Sequence, residues 1–129
     1  MRHLKMAVMT GAFLLAATIV GCASGPEFTK SSEKSTSAIR GAEEVGASKV
    51  PNAALHLQLA KEELNRAKEL DTKGKKEEAV SMLSRAEADA ELAVALSHEE
   101  KEKTEAAQAV ERVRKLREDN RSSPERSQP

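Results

Sequence analysis

The 129-residue chain is predicted to be all-α, an antiparallel helical hairpin whose second helix is much longer than its first. Two stretches carry apolar side chains at alternating spacings of three and four residues, which is the period of one helix face. A five-residue polar segment that contains Gly74 separates them and is short enough to join antiparallel neighbours. Trp and Tyr are absent, and most apolar residues after position 21 are Ala, Leu or Val. We therefore expect narrow helix interfaces rather than a deep pocket.

The first 21 residues have the parts of an export signal. Arg2 and Lys5 precede an apolar run over residues 6–20, and the small residue Gly21 ends it. The run is shorter than the roughly 20 apolar residues that a membrane-spanning helix needs. We predict that residues 1–21 are a signal peptide that is cleaved off.

Cys22 follows this leader directly. The four residues 19–22, Ile-Val-Gly-Cys, resemble the lipobox of bacterial lipoproteins. The resemblance implies that the Cys22 thiol receives a diacylglycerol, that cleavage falls before Cys22, and that its new amino group is then acylated. Two or three acyl chains anchor a protein stably, whereas one is marginal. Ala23, where an Asp would signal retention, implies sorting to the outer membrane with the domain in the periplasm. The alternatives are an uncleaved anchor, or a buried N-terminal helix with a free cysteine.

The composition divides the remaining chain into three segments. Residues 22–36 are predicted to be the lipidated cysteine and a flexible tether, residues 37–118 the helical domain, and residues 119–129 a disordered tail. The tether and the tail are rich in Ser, Gly or Pro and poor in apolar side chains. Phe28, the apolar exception in the tether, is expected to be solvated, and the alternative is a contact with the domain or with the bilayer surface.

The helical domain begins with a weak amphipathic helix at residues 37–47, expected to lie along the hairpin as a third helix. A stronger pattern starts at Asn52, and the second hairpin helix starts near Lys76. The two predicted stripes are Leu57, Ala60, Leu64 and Ala67 in the first helix, and Ala79, Leu83, Ala86, Ala90 and Ala93 in the second. A glycine suits the left-handed position after a helix end, so we expect the chain to turn at Gly74. In the resulting antiparallel hairpin, residues whose numbers sum to about 147 lie at the same level.

The second hairpin helix overhangs the first if it continues to Glu118. It would then span roughly 65 Å against roughly 29 Å for residues 52–70. Residues 98–105 of the overhang have no apolar face, but an apolar stripe returns after them: Ala106, Ala109, Val110, Val113 and Leu116. We predict that this stripe contacts a partner outside the chain, either another copy or an envelope protein. The alternatives are a chance stripe on a surface helix, or a segment that folds back at the charged break.

Charge and residue types argue against several functions. Removal of Arg2 and Lys5 with the leader leaves 19 basic against 21 acidic residues (21 − 2 = 19), with both signs interspersed, so we expect no nucleic-acid binding. One cysteine makes neither a disulfide nor a zinc site, so no metal or cofactor is expected. His56 is predicted to approach Asp89 or Glu91 across the hairpin as a register-fixing contact. No nucleophile or oxyanion site accompanies this pair, so we predict no catalytic residues and no small-molecule substrate.

Residues from Gly46 to about Leu96 resemble the bacterial domain-of-unknown-function family 4398, which occurs in lipoproteins. The residues that carry the resemblance are Gly46-Ala47, Pro51, Leu55 to Lys61, Ala67, Gly74, Ala79 and Arg85 to Ala93. It implies a helical hairpin in the cell envelope and supplies no activity. The expected function is that of a non-enzymatic lipoprotein with a structural or interaction role. One alternative is a helical-repeat-like adaptor that binds peptides or proteins in the periplasm, and another is a small hydrolase or a binding protein for a soluble ligand.

The lipobox makes a direct prediction about the mature N-terminus. Mass spectrometry of the purified protein is expected to find Cys22 as the first residue, with its sulfur and amino group acylated. Cys22→Ser removes the acceptor thiol, so this variant should lose both lipid and cleavage. A product that retains Met1 and an unmodified sulfur would contradict the anchor.

Overall fold

A computed structural model describes residues 25–122 and shows three α-helices among them. They are α1 (Pro26–Glu44), α2 (Pro51–Thr72) and α3 (Lys76–Ser122). A single turn of 3-10 helix, Ala47–Lys49, lies in the connection between α1 and α2. No strand occurs within residues 25–122, and the predicted all-α class with a long final helix is confirmed.

The α2–α3 hairpin is held by two facing stripes of small and medium apolar side chains. All nine residues of the two predicted stripes are buried, together with Ala53. Polar contacts also cross the hairpin: His56 Nδ1 lies 2.8 Å from Asp89 Oδ1, and Arg85 Nε lies 3.2 Å from Glu63 Oε1. The residue numbers in these pairs sum to 145 and 148, on either side of the predicted value of 147. The predicted antiparallel register is therefore confirmed.

Gly74 ends α2 in the way that its position predicts. Its φ of +75° lies in the left-handed region, which glycine adopts without a steric penalty. The Lys75 amide donates to the Leu70 carbonyl at 3.0 Å, and the Gly74 amide donates to the Asp71 carbonyl at 2.9 Å. This pair of bonds is a Schellman motif, which satisfies carbonyls at the helix end and turns the chain into α3.

The prediction of a flexible tether over residues 22–36 is wrong from Pro26 onward, because α1 starts there rather than at residue 37. Pro26 occupies the first helical turn, where its missing amide hydrogen costs nothing. Phe28, expected to be solvated, is buried beside Val80. Ser35 is fully buried, and its hydroxyl donates to the Ser31 carbonyl at 2.9 Å. Ser35 can be a core residue because its hydroxyl group is hydrogen-bonded within its own helix.

Helix α1 lies along the hairpin as the predicted third helix and packs mainly against α3. It runs parallel to α3, since Phe28 lies beside Val80 and Gly41 beside Val94. It is antiparallel to α2, to which Glu43 forms an ion pair with Lys61. The result is an up-down-up bundle in which Gly25 lies at the same end as the α2–α3 turn.

Helix α3 continues past the bundle without interruption. Ser97 is its last buried residue, at the level of the α1–α2 connection, and none of residues 98–122 is buried. We call residues 98–122 the arm; its 25 residues extend about 37 Å. The predicted disordered tail, 119–129, is corrected for residues 119–122, which are helical, whereas residues 123–129 lie outside the described part of the chain.

Leu83 is the largest fully buried side chain within residues 25–122 and provides a test of this packing. We expect Leu83→Ala to lower the free energy of unfolding by about 3 kcal/mol, because it leaves a cavity between α2 and α3. Leu55→Ala, at an exposed position of α2, is the matched control and should cost less than about 1 kcal/mol. Urea unfolding followed by circular dichroism measures both, and equal losses would contradict the assignment of the core.

Candidate functional site

The predicted signal peptide, residues 1–21, and the predicted lipidation residue Cys22 lie outside the described residues, 25–122. Both therefore stay predictions. Within the described part of the chain, no helix is both long and apolar enough to cross a membrane.

The five residues of the predicted partner stripe lie together on one face of the arm. At 3.6 residues per turn, Ala106, Ala109, Val110, Val113 and Leu116 fall within about 120° of the helix circumference. Val110 is 71% exposed, Val113 46% and Leu116 64%. The stripe is therefore a set of apolar side chains that nothing in the described chain covers.

The stripe does not continue the face of α3 that packs on the bundle. Val110 lies thirteen positions after Ser97, so its side chain is turned by about 220° around the helix axis relative to that of Ser97. The mean direction of the five stripe side chains therefore differs from the mean direction of the buried side chains of α3 by about 150° around the helix axis. The arm also extends beyond the ends of α1 and α2, so neither helix of the same chain covers the stripe.

Charged side chains support the arm as a helix. Glu99 and Lys103 are 2.7 Å apart, Lys101 and Glu105 3.8 Å, and Glu111 and Arg114 2.9 Å. Pairs at these helical spacings stabilise a helix by about 0.2–0.5 kcal/mol each. Two of the three pairs lie in residues 98–105, which lack an apolar face, so local pairing supports the helix where packing does not.

A second group of functional side chains crosses the hairpin. The polar cluster, defined as His56, Glu63, Arg85 and Asp89, joins α2 to α3. His56 was predicted to approach Asp89 or Glu91, and its contact is with Asp89, at 2.8 Å. Glu63 and Arg85 were not predicted as members, although Glu63 lies two turns after His56 and Arg85 one turn before Asp89. These helical spacings from His56 and Asp89, together with the rule that facing residues have numbers that sum to about 147, identify both.

Glu63 is the electrostatically unusual member of the polar cluster. Burial is the main cause that raises the pKa of its carboxyl group above the ordinary value of 4.5, and hydrogen bonding with Asp89 adds to the rise. Its Oε1 forms an ion pair with Arg85, whereas its buried Oε2 has no hydrogen-bond partner. A proton on Glu63 allows the carboxyl group to donate to Asp89, which removes the repulsion between the two acids.

The polar cluster fits a structural role better than a chemical one. Its members pair with one another across the interface, and Arg85 is largely exposed. Among the residues that the structure describes, no three His, Cys, Asp or Glu side chains are placed to hold a metal ion. His98 lies on the arm as an exposed residue, apart from the cluster. The cluster therefore sets the register of the hairpin.

These features define a class of all-helical protein: a three-helix bundle with one helix that extends far beyond it. Residues 31–109 match the family described as "Domain of unknown function (DUF4398)", and the chain belongs to this family. The match covers 79 of the 129 residues, mainly the bundle, and it ends at Ala109 within the partner stripe. The predicted family is thus confirmed. No curated protein and no solved structure matches the chain.

The raised pKa of Glu63 predicts a specific dependence of stability on pH. Folding favours the protonated form of Glu63 relative to the unfolded chain, so the contribution of this group to stability is complete below pH 4.5 and is lost as the pH rises through the folded-state pKa. Glu63→Gln keeps a donor toward Asp89 at every pH. We expect this variant to be more stable than the parent at pH 7 by about 1 kcal/mol, the net value of one hydrogen bond.

Urea unfolding between pH 4 and pH 8 measures this effect. The advantage of Glu63→Gln should grow with pH, whereas Glu62→Gln, at the exposed neighbouring position, should show a difference that pH does not change. An advantage of Glu63→Gln that is equal at all pH values would rule out a raised pKa.

Proposed function

We propose that the chain is a lipid-anchored lipoprotein of the cell envelope with a non-enzymatic structural or interaction role. Its anchor is Cys22, in the outer membrane, and its bundle lies in the periplasm. The support for the anchor is the basic start, the apolar run and the terminal Gly-Cys of residues 1–22.

The length of α3 sets the distance between this proposed anchor and the partner stripe. Gly25 lies three positions after Cys22, a reach of at most about 11 Å. Gly25 lies beside Lys76 at the start of α3, and the 47 residues of α3 extend about 70 Å from there to Ser122. An anchor at Cys22 and a contact at the stripe would therefore act at opposite ends of one rigid helix.

The observation that carries the interaction role is the exposure of Val110, Val113 and Leu116 on the arm. Burial of one such side chain contributes about 1.5–3 kcal/mol when it is complete. A partner that covers the stripe therefore gains stability without any change in the bundle. The non-enzymatic part rests on the polar cluster, whose groups are engaged with one another.

A second candidate is the helical-repeat-like adaptor that binds peptides or proteins in the periplasm. It is favoured by the exposed leucines on the outer side of the hairpin. Leu55 and Leu59 lie one turn apart on α2, and Leu92 of α3 lies at the level of Leu55 by the register sum. A peptide that binds there would occupy the hairpin and leave the arm free.

Two matched triple variants of the full chain distinguish these functions. The arm variant carries Val110→Gln, Val113→Gln and Leu116→Gln, and the hairpin variant carries Leu55→Gln, Leu59→Gln and Leu92→Gln. We expect the arm variant to lose at least about tenfold of its protein crosslinks in intact cells, since three apolar contacts are removed.

The readout is crosslinking followed by mass spectrometry, with circular dichroism as the check on folding. Loss in the hairpin variant alone would favour the adaptor. Crosslinks that persist unchanged in both variants would contradict both functions.

A further inference from the structure

The end of the bundle at which α1 begins is formed by neighbouring parts of the chain. Gly25, just before α1, lies beside Lys76, the first residue of α3. The α2–α3 turn lies at the same end, and all of residues 72–78 are exposed. We call residues 25–27 and 72–78 the basal end of the bundle.

A groove at the basal end has an apolar wall. Its volume is about 490 Å³, and the apolar side chains that line it are Pro26, Phe28 and Val80. Phe28 is buried, Val80 is half-buried and Pro26 is exposed. Lys73 and Lys75 are exposed in the neighbouring turn. Apolar surface beside flexible cationic side chains suits the boundary between lipid headgroups and water.

We propose that the short connection to Cys22 holds the basal end against the lipid headgroups of the anchoring membrane. The partner at this surface is therefore a phospholipid headgroup layer. The proposal rests on the proposed function, since it requires the lipid anchor at Cys22. It goes beyond that function because it assigns the part of the bundle that meets the membrane.

The length of the connection carries this inference. An acyl chain on the amino group of Cys22 begins at the backbone itself, so the Cys22 backbone lies where the hydrocarbon core meets the headgroups. Each headgroup layer is about 5–8 Å thick, half the difference between a bilayer of about 40–45 Å and its core of about 30 Å. The reach from Cys22 to Gly25 is at most about 11 Å, so no more than about 3–6 Å remain between Gly25 and the headgroup surface. This gap is smaller than the diameter of a helix, about 10–12 Å, so exposed side chains around Gly25 meet the headgroups.

The charges near Gly25 favour contact through the basal end rather than through the side of the bundle. The basal end contains three Lys and three Glu, so its net charge is zero. The nearby side of the bundle is a groove between α1 and α3, lined by the carboxylates of Glu87 and Glu91 and the ammonium group of Lys34. Lipid phosphates repel these carboxylates, and contact would also remove water from them. The bundle therefore stands on its basal end.

An upright bundle directs α3 away from the membrane. Lys76 lies in the basal end, and Val110 of the partner stripe follows 34 positions later in the same helix (110 − 76 = 34), about 51 Å along its axis. A contact made through the stripe then lies about 50 Å from the anchoring membrane.

Fluorescence quenching on the full lipidated chain tests the contact. The chain is reconstituted in vesicles of phosphatidylethanolamine and phosphatidylglycerol that carry a quencher on the headgroup. A fluorescent label is attached to Lys73→Cys in the turn, to Ser37→Cys on the α1–α3 side, or to Ser48→Cys at the opposite end of the bundle. All three positions are exposed, so the packing of the bundle is unaffected. We expect strong quenching at position 73 and at most about a third of it at positions 37 and 48, which lie about 16 Å and about 28 Å farther from the basal end.

Two other results would overturn the proposal. Equal quenching at positions 73 and 37 would indicate contact through the side of the bundle, and weak, equal quenching at all three positions would indicate a bundle that does not touch the membrane. The parent chain is the control for the anchor. A parent that takes up the label has a free Cys22 thiol, which contradicts the proposed function and this inference together. An unlabelled parent with either of the two quenching patterns contradicts this inference alone.

A longer connection provides a second measurement in the same vesicles. About ten Gly or Ser residues inserted between Ser24 and Gly25 raise the greatest reach from about 11 Å to about 47 Å, and the root-mean-square length of such a flexible chain is about 20 Å. We expect quenching at position 73 to fall by at least about half, because the basal end is then free to leave the headgroups. The same insertion after Pro129 is the matched control and should leave the quenching unchanged. Quenching that is equally strong with the longer connection would contradict a contact imposed by the length of the chain.

Discussion

The close approach of α2 and α3 along alanine side chains is the constraint on which the rest of the structure depends. Nine of the fourteen buried apolar residues within residues 25–122 are Ala, so the packing energy is spread over many small contacts and the helix backbones approach closely. Small, similar side chains also specify the alignment of two helices weakly. The polar cluster supplies that specificity, because an offset by one residue would separate His56 from Asp89 and Glu63 from Arg85.

Periodicity predicted the hairpin well, since its signals are local and agree with one another. The two stripes and the level of His56 with Asp89 follow from the spacing of apolar residues on either side of the turn at Gly74. The start of α1 could not be predicted in the same way. Its first half contains mostly Ser, Thr and charged residues, and only the tertiary contacts of Phe28 and Ser35 with the bundle make it an ordered helix. A buried serine is invisible to a hydrophobic pattern when its hydroxyl is satisfied by its own helix.

The residues of the candidate site could be predicted from the sequence, but the direction in which their side chains face could not. The five stripe residues follow from helical spacing, whereas the direction in which they face depends on the continuity of α3 through residues 98–105. That segment carries no apolar face, and a pattern of charges is compatible with either a helix or a break. The ion pairs Glu99–Lys103 and Lys101–Glu105 are consistent with the helical outcome. Glu63 was missed for a different reason, since its raised pKa arises from burial at the interface and not from its own sequence neighbours.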